Sequence, residues 1–205
     1  MIPINVSLSY YKIADIQEEI ISNSRDREIA ARFNEQFGKR PDVLRHASDI
    51  LELAKQGATS FHASEELWKN PLQLDSSMRR QELDDLRIGW DLIIDIDCAV
   101  FDYSKIAADL VIKALKFHKI KSISCKFSGN KGWHIVVPFE AMPKIVKRVE
   151  IAKYYPEIPQ LCAQYLLEFI KPNLERDILQ LASHDIKKLV DIFGTTRDKK
   201  SSRWR

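Results

Sequence analysis

Two carboxylates stand two residues apart at the end of an apolar run, Leu92-Ile93-Ile94-Asp95-Ile96-Asp97. About thirty residues later comes a glycine-punctuated turn, Ser128-Gly129-Asn130-Lys131-Gly132-Trp133-His134. The first run is short and β-rich, with no Gly or Pro after Gly89, so Trp90 to Asp97 is predicted to be a buried strand. Side chains on a strand alternate, which puts Asp95 and Asp97 on one side with Cα atoms about 6.5 Å apart. Carboxylates so placed can converge on one divalent metal ion or share a pair of ions roughly 3.5–4 Å apart. Without a cation the two like charges repel. A solvated strand end carrying two ordinary aspartates has the same pattern.

The turn has the residue types of a phosphate cradle. Gly129 and Gly132 permit φ > 0 and close backbone approach. Ser128 brings a hydroxyl, Lys131 a cation, and successive backbone N–H groups can form an anion-binding nest. Ile123, Cys125 and Phe127 alternate with Ser124, Lys126 and Ser128, as in a half-buried strand. Trp133 to Pro138 follows as a second strand, so the segment is predicted to be a hairpin with a long tip. His134 sits where the chain re-enters the sheet. Taken alone it is a satisfied sheet histidine; beside Ser128 and Lys131 it suits a phosphate contact. No helix follows and no Gly-Lys-Ser/Thr is present, so this is not a P-loop.

These two signals need elements to position them. Between them lies a predicted helix that Asp102 or Ser104 can cap. Its Ile106, Leu110, Val111, Ala114 and Leu115 form a core stripe. The local order is strand, helix, strand, turn, strand. A helical crossover allows the first two strands to be parallel neighbours. Elsewhere Ile13 to Phe37 is helix-like and closes at Gly38, Asp49 to Lys55 is a short helix ended by Gly57, and a linker runs from Pro71 to Arg79-Arg80. A helix from Gln160 to Ile170 carries an apolar face of Leu161, Tyr165, Leu166 and Phe169. His62 with Glu65-Glu66 is read as structural, with solvated glutamates.

Ile-Asp-Ile-Asp followed by Ser-Gly-x-x-Gly-x-His resembles the archaeo-eukaryotic primase superfamily, most closely the archaeal DNA primase small (catalytic) subunit. Gln81-Glu82-Leu83 through Trp90-Asp91-Leu92 is similar to the segment that leads into that family's metal strand, and Tyr10-Tyr11 and Arg27-Glu28, more loosely, resemble the opening of such subunits. The resemblance implies an α+β fold with a primase-like catalytic core, a mixed β-sheet flanked by helices, in a single domain over residues 1–205. It implies that Asp95 and Asp97 bind Mg²⁺ or Mn²⁺, with Asp191, on a strand in Leu189-Val190-Asp191-Ile192, as third ligand and catalytic carboxylate. Ser128, Gly129, Lys131, Gly132 and His134, joined by Arg203, would hold the nucleotide. Asn130 stands where eukaryotic members often have Arg. The family continues into a Pro-x-Ser-x-His-x-Lys stretch, and the chain stops at Arg205 before it; three expectations stand side by side, a domain truncated at its C-terminus, a remainder supplied by another chain, or an incomplete site.

The function so implied is primer synthesis in DNA replication by DNA-directed, two-metal nucleotidyl transfer. Its partners would be single-stranded DNA template, nucleoside triphosphates and a primase large subunit. Cys98, Cys125 and Cys162 lack zinc spacing, so no structural zinc is expected. Two other functions use the same residues differently. A phosphatase of the haloacid-dehalogenase type also ends a strand in Asp-x-Asp, but usually places Thr or Val where this chain has Ala99, and gives the hairpin no role. A non-catalytic nucleic-acid-binding subunit with an incomplete site would bind DNA without metal or nucleotide.

Composition sets outer bounds. The 205 residues are 45% hydrophobic and 30% charged, enough for one substantial core with a small satellite. Unpaired cysteines and no secretory segment point to a reducing, cytoplasmic setting. No apolar run is long enough to span a membrane. A net charge of +3 neither requires nor excludes nucleic acid. Local clusters carry more information: Lys113, Lys116, Lys119, Lys121, Lys126 and Lys131, and the tail Arg197, Lys199, Lys200, Arg203 and Arg205 around Trp204. Either could track phosphates, although a solvated helix face is the commoner role for the first.

Overall fold

The computed structural model describes residues 2–129 and 132–201, with the helical backbone alone for 185–201. The fold is α+β. Its elements in order are α1 (Ile4–Tyr11), α2 (Ala14–Ser24), β1 (Ile29–Phe33), β2 (Gln36–Phe37), α3 (Ala47–Lys55), β3 (Ser60–Ala63), β4 (Glu66–Trp68), α4 (Arg80–Leu86), β5 (Arg87–Trp90), β6 (Leu92–Asp97), α5 (Phe101–Phe117), β7 (Ser124–Phe127), β8 (Gly132–Val137), β9 (Ile145–Val146), β10 (Val149–Glu150) and α6 (Glu157–Ser201). Among the described residues the strands fall into four small sheets, β2-β1-β3, β4-β5, β9-β10 and β6-β8-β7, rather than one mixed sheet. The chain divides into two compact units, residues 1–92 with 138–156, and residues 93–137 with 157–205.

In the first unit, the single helix expected over Ile13 to Phe37 is broken. Helix α2 stops at Ser24, Asp26 turns the chain with φ of 59°, and Ile29 to Phe33 becomes a strand. Pairing overrides helical propensity here, because Ile29, Ala30 and Ala31 are buried and β1 is flanked on both edges, antiparallel to β2 and β3. Helix α3 follows the sequence closely. The Asp49 carboxylate accepts the backbone N–H groups of Arg45 and His46 at 2.9 and 3.0 Å, an N-terminal device that satisfies otherwise orphaned donors. Ile50 and Ala54, one turn apart, are fully buried with Tyr11, Ile29 and Leu44. Gly57 then ends the segment at φ 101°.

A second centre of this unit is polar. Asp91, between β5 and β6, is buried. One of its oxygens accepts from Arg27 Nη2 at 2.5 Å and the other from the Phe139 N–H at 3.0 Å. Arg27 also donates to the carbonyls of Ser64 and Glu65, at 2.7 and 3.1 Å. Next to this clamp, Trp90 is 1% exposed and its indole N–H donates to the Ile151 carbonyl at 3.1 Å. Buried Arg87 donates to Glu66 at 3.0 Å and to Asp84, with its guanidinium over the rings of Trp68 and Tyr155. Glu65 and Glu66 are therefore not solvated: Glu65 accepts from the Tyr155 hydroxyl, and burial pushes the Glu66 carboxyl up against the pull of Arg87.

In the second unit β8 is central and β7 and β6 lie on either side of it. The two strands joined by α5 are thus not neighbours, because the hairpin return inserts β8 between them. Strand β7 pairs antiparallel with β8 and is exposed throughout, not half-buried as its alternation suggests. Helix α5 buries Ser104, Ala108, Val111, Ala114 and Leu115. The residue before it, Val100, occupies the N-cap position without a side-chain bond. Neither Asp102 nor Ser104 caps it; Ser104 is instead fully buried and donates to the Phe101 carbonyl at 2.7 Å. Helix α6 runs far beyond the expected Ile170. It turns Leu166 and Ile170 inward while Leu161, Tyr165 and Phe169 stay exposed. Leu189 to Ile192 lies within this helix, which corrects the expected strand around Asp191.

Breaking one side of a buried ion pair strands the other charge, at a cost of several kcal/mol. Asp91→Ala is expected to lower the unfolding free energy by about 3 kcal/mol in urea titrations. A change below about 0.5 kcal/mol, the size of an ordinary surface substitution, would show that the clamp does not hold this unit together.

Candidate functional site

Strand β6 ends in Asp95 and Asp97, both exposed, with Ile96 half-buried between them. That is the alternation expected of a strand with one covered face. Strand β8 lies directly beside it. His134 Nε2 is 3.5 Å from Asp95 Oδ1, so the two signals separated in sequence share one face. The Asp95 side chain is 65% exposed and that of His134 32%, so the imidazole is the better sheltered of the pair.

The hairpin is held at both ends of its tip by Ser128. The Ser128 N–H donates to the Gly132 carbonyl at 2.9 Å, and the Gly132 N–H donates to Ser128 Oγ at 3.2 Å. The hydroxyl oxygen predicted to meet phosphate thus also closes the turn. Gly129 takes φ of 92° with open space where a Cβ would stand, so its requirement is conformational. Gly132 is required for space. A Cβ there would press into the Ile96 carbonyl oxygen, well inside van der Waals contact, and stand 3.2 Å from Ser128 Oγ. This glycine lets the hairpin backbone lie against the strand that carries both aspartates.

The opposite face is aromatic. Phe127 and Trp133 stand across from one another on β7 and β8 with ring centroids 5.3 Å apart, and Phe101 lies 5.8 Å from Trp133. The Trp133 indole N–H donates to buried Ser104 Oγ at 3.2 Å. This anchor sits one residue from His134 and points the other way, so it sets the orientation of β8 without occupying the site. Sequence reasoning missed it because it read Ser104 as a cap.

Asp95, Asp97, Ser128, Gly129, Gly132 and His134 are therefore gathered on β6 and the β7–β8 hairpin. Lys131, Asn130, Arg203 and Trp204 lie outside the described residues, as does the side chain of Asp191. Asp95 and Asp97 offer hard oxygen donors, and among the described residues no lysine or arginine forms a salt bridge with either. Two exposed carboxylates of this kind fit a divalent cation. Among the described residues no group of three His, Cys, Asp or Glu side chains comes together, so the described donor set is the pair. No helix among the described residues is long and apolar enough to cross a membrane. No family model matches the chain, and no curated protein matches it.

The two glycines separate by experiment. Gly132→Ala forces backbone or strand displacement and is expected to cost about 1–3 kcal/mol, as overpacking does. Gly129→Ala meets no atoms and carries only the left-handed backbone penalty of about 1–2 kcal/mol. Denaturant titration should find Gly132→Ala the more damaging to metal-dependent binding as well as to stability. Equal, small effects would mean that β6 and the hairpin do not approach as closely as described.

Proposed function

We propose that this face carries out nucleotidyl transfer in a DNA primase catalytic subunit, joining nucleotides into short primers on single-stranded DNA. The observation that supports it best is the meeting of the Asp95–Asp97 strand with the Ser128–His134 hairpin, through the 3.5 Å approach of His134 to Asp95 and the steric need for Gly132 against Ile96. A carboxylate pair for cations beside a hairpin for phosphates is what transfer from a nucleoside triphosphate requires.

In this reaction the primer 3′-oxygen forms a bond to the α-phosphorus, the α–β phosphoanhydride bond breaks, and pyrophosphate leaves. Asp95 and Asp97 would hold Mg²⁺ or Mn²⁺, with Asp191 proposed as the third carboxylate. A bound divalent ion supplies activation of the attacking hydroxyl and neutralisation of the phosphates. The chain's own contribution is positioning. The Ser128 hydroxyl would donate to phosphate oxygens, while the Ser128 and Gly132 N–H groups close the turn. Lys131, His134 and Arg203 add positive or proton-donating groups where negative charge accumulates on the leaving group. His134 is oriented by Asp95 on one side and by the Trp133 anchor behind the strand. Single-stranded template, nucleoside triphosphates, a primase large subunit and a cytoplasmic setting belong to the same proposal.

A non-catalytic nucleic-acid-binding subunit is the second reading, and it predicts DNA binding that ignores metal and nucleotide. The dehalogenase-type alternative gives the hairpin beside Asp95 nothing to do.

Incorporation of labelled nucleotide on a single-stranded template with Mn²⁺ tests this directly. Asp97→Ala is expected to lower incorporation by at least about 10³-fold, the scale of losing a principal electrostatic stabiliser. A chelator should abolish it in the unmodified protein. Full activity in Asp97→Ala would sink the metal-site assignment. DNA binding that ignores both metal and nucleotide, with no incorporation, would favour the assembly subunit, and phosphate release from a simple aryl phosphate would favour the phosphatase.

A further inference from the structure

The pairing register of the hairpin carries a consequence that its motif does not contain. Lys126 on β7 stands directly opposite His134 on β8. Residues paired across an antiparallel ladder put their side chains on the same face, with Cβ atoms about 4.5–5.5 Å apart. The neighbouring pair, Phe127 and Trp133, obeys this rule on the other face, where their rings meet. Lys126 therefore shares the exposed face of His134 and Asp95. Three strands present a row in the order carboxylate, imidazole, ammonium: Asp95 on β6, His134 on β8 and Lys126 on β7. Strand β7 is exposed along its length, so the ammonium reaches solvent on that face.

We infer that Lys126 is a phosphate-binding residue of this site, extending the cationic side of the face one strand beyond His134. The inference rests on the nucleotidyl-transfer function proposed above. A lysine ammonium is a compact point charge with three donors on a flexible stem, suited to an anion whose position shifts between binding and release. It meets a phosphate oxygen without any covalent step. The phosphate belongs either to the incoming triphosphate or to the backbone of the template strand.

The test measures equilibrium binding on the full chain, without requiring turnover. The probes are Mn²⁺–GTP and a dT oligonucleotide, and the proteins are the unmodified chain, Lys126→Ala, Lys126→Arg, Asp97→Ala and Lys55→Ala. Lys55 is the charge control, exposed at the end of α3 in the first unit and outside both basic clusters. Loss of one charge-assisted contact is expected to weaken binding about tenfold in Lys126→Ala. Lys126→Arg should restore most of it and Lys55→Ala should leave it unchanged. Weakened GTP binding with unchanged dT binding assigns the contact to the triphosphate. Weakened dT binding, with the salt-dependence slope reduced by about one, assigns it to the template backbone. If Lys126→Ala binds both probes as the unmodified protein does while Asp97→Ala loses metal-dependent GTP binding, the Lys126 inference is overturned and the site stands. If Asp97→Ala also binds normally, the site itself fails and Lys126 with it.

Discussion

A carboxylate withdrawn from water at a strand junction is tolerable only when every oxygen has a partner. Asp91 meets that condition with Arg27 on one oxygen and the Phe139 N–H on the other. Because Arg27 also binds the carbonyls of Ser64 and Glu65, one ion pair ties the entry to β1, the turn between β3 and β4, the β5–β6 junction and the segment after β8. These pieces are far apart in sequence, and much of what joins them is polar. The apolar cluster of Tyr11, Ile29, Leu44, Ile50 and Ala54 lies elsewhere in the same unit and serves the helices. Strand β6 begins one residue after Asp91.

Beyond that point the two sides of one strand divide the labour. On β8, Trp133 and His134 are adjacent and point oppositely. The indole is spent on structure, locked to Ser104 and the Phe101–Phe127 rings. The imidazole is left facing Asp95. This economy depends on period-two geometry, since a register slip of one residue would exchange the roles and bury the histidine against α5. Gly132 and the Ser128 hydroxyl hold the register at the turn, so the small residues of the motif are structural conditions for the polar ones.

The site was more legible in the sequence than the fold around it. Alternation placed Asp95 and Asp97 on one face, and the glycine-flanked tip identified the hairpin, because both are local rules acting over a few residues. Strand order was not legible. A crossover helix suggested parallel neighbours, but which strand takes the centre is decided by long-range pairing. Ile13 to Phe37 was misread for the same reason: Ile29 to Ala31 have a helical pattern but become a strand once β2 and β3 flank them. The buried roles of Asp91, Glu66 and Ser104 were invisible because a polar residue looks solvated until its partner, 64 positions away in the case of Arg27 and Asp91, folds against it. Lys126 could have been found by counting back from the turn, since the hairpin register follows once Ser128 and Gly132 are recognised as its closing pair.

The position of β7 has one more effect. Among the described residues it ends the three-strand order, with an outer edge that faces solvent. Such rims invite a strand from another molecule, and natural sheets discourage this with brevity and with lysine. Strand β7 is four residues long and carries Lys126. The charge that faces the site is therefore also a guard on the rim, and resistance to aggregation and anion affinity become selectable traits of a single side chain.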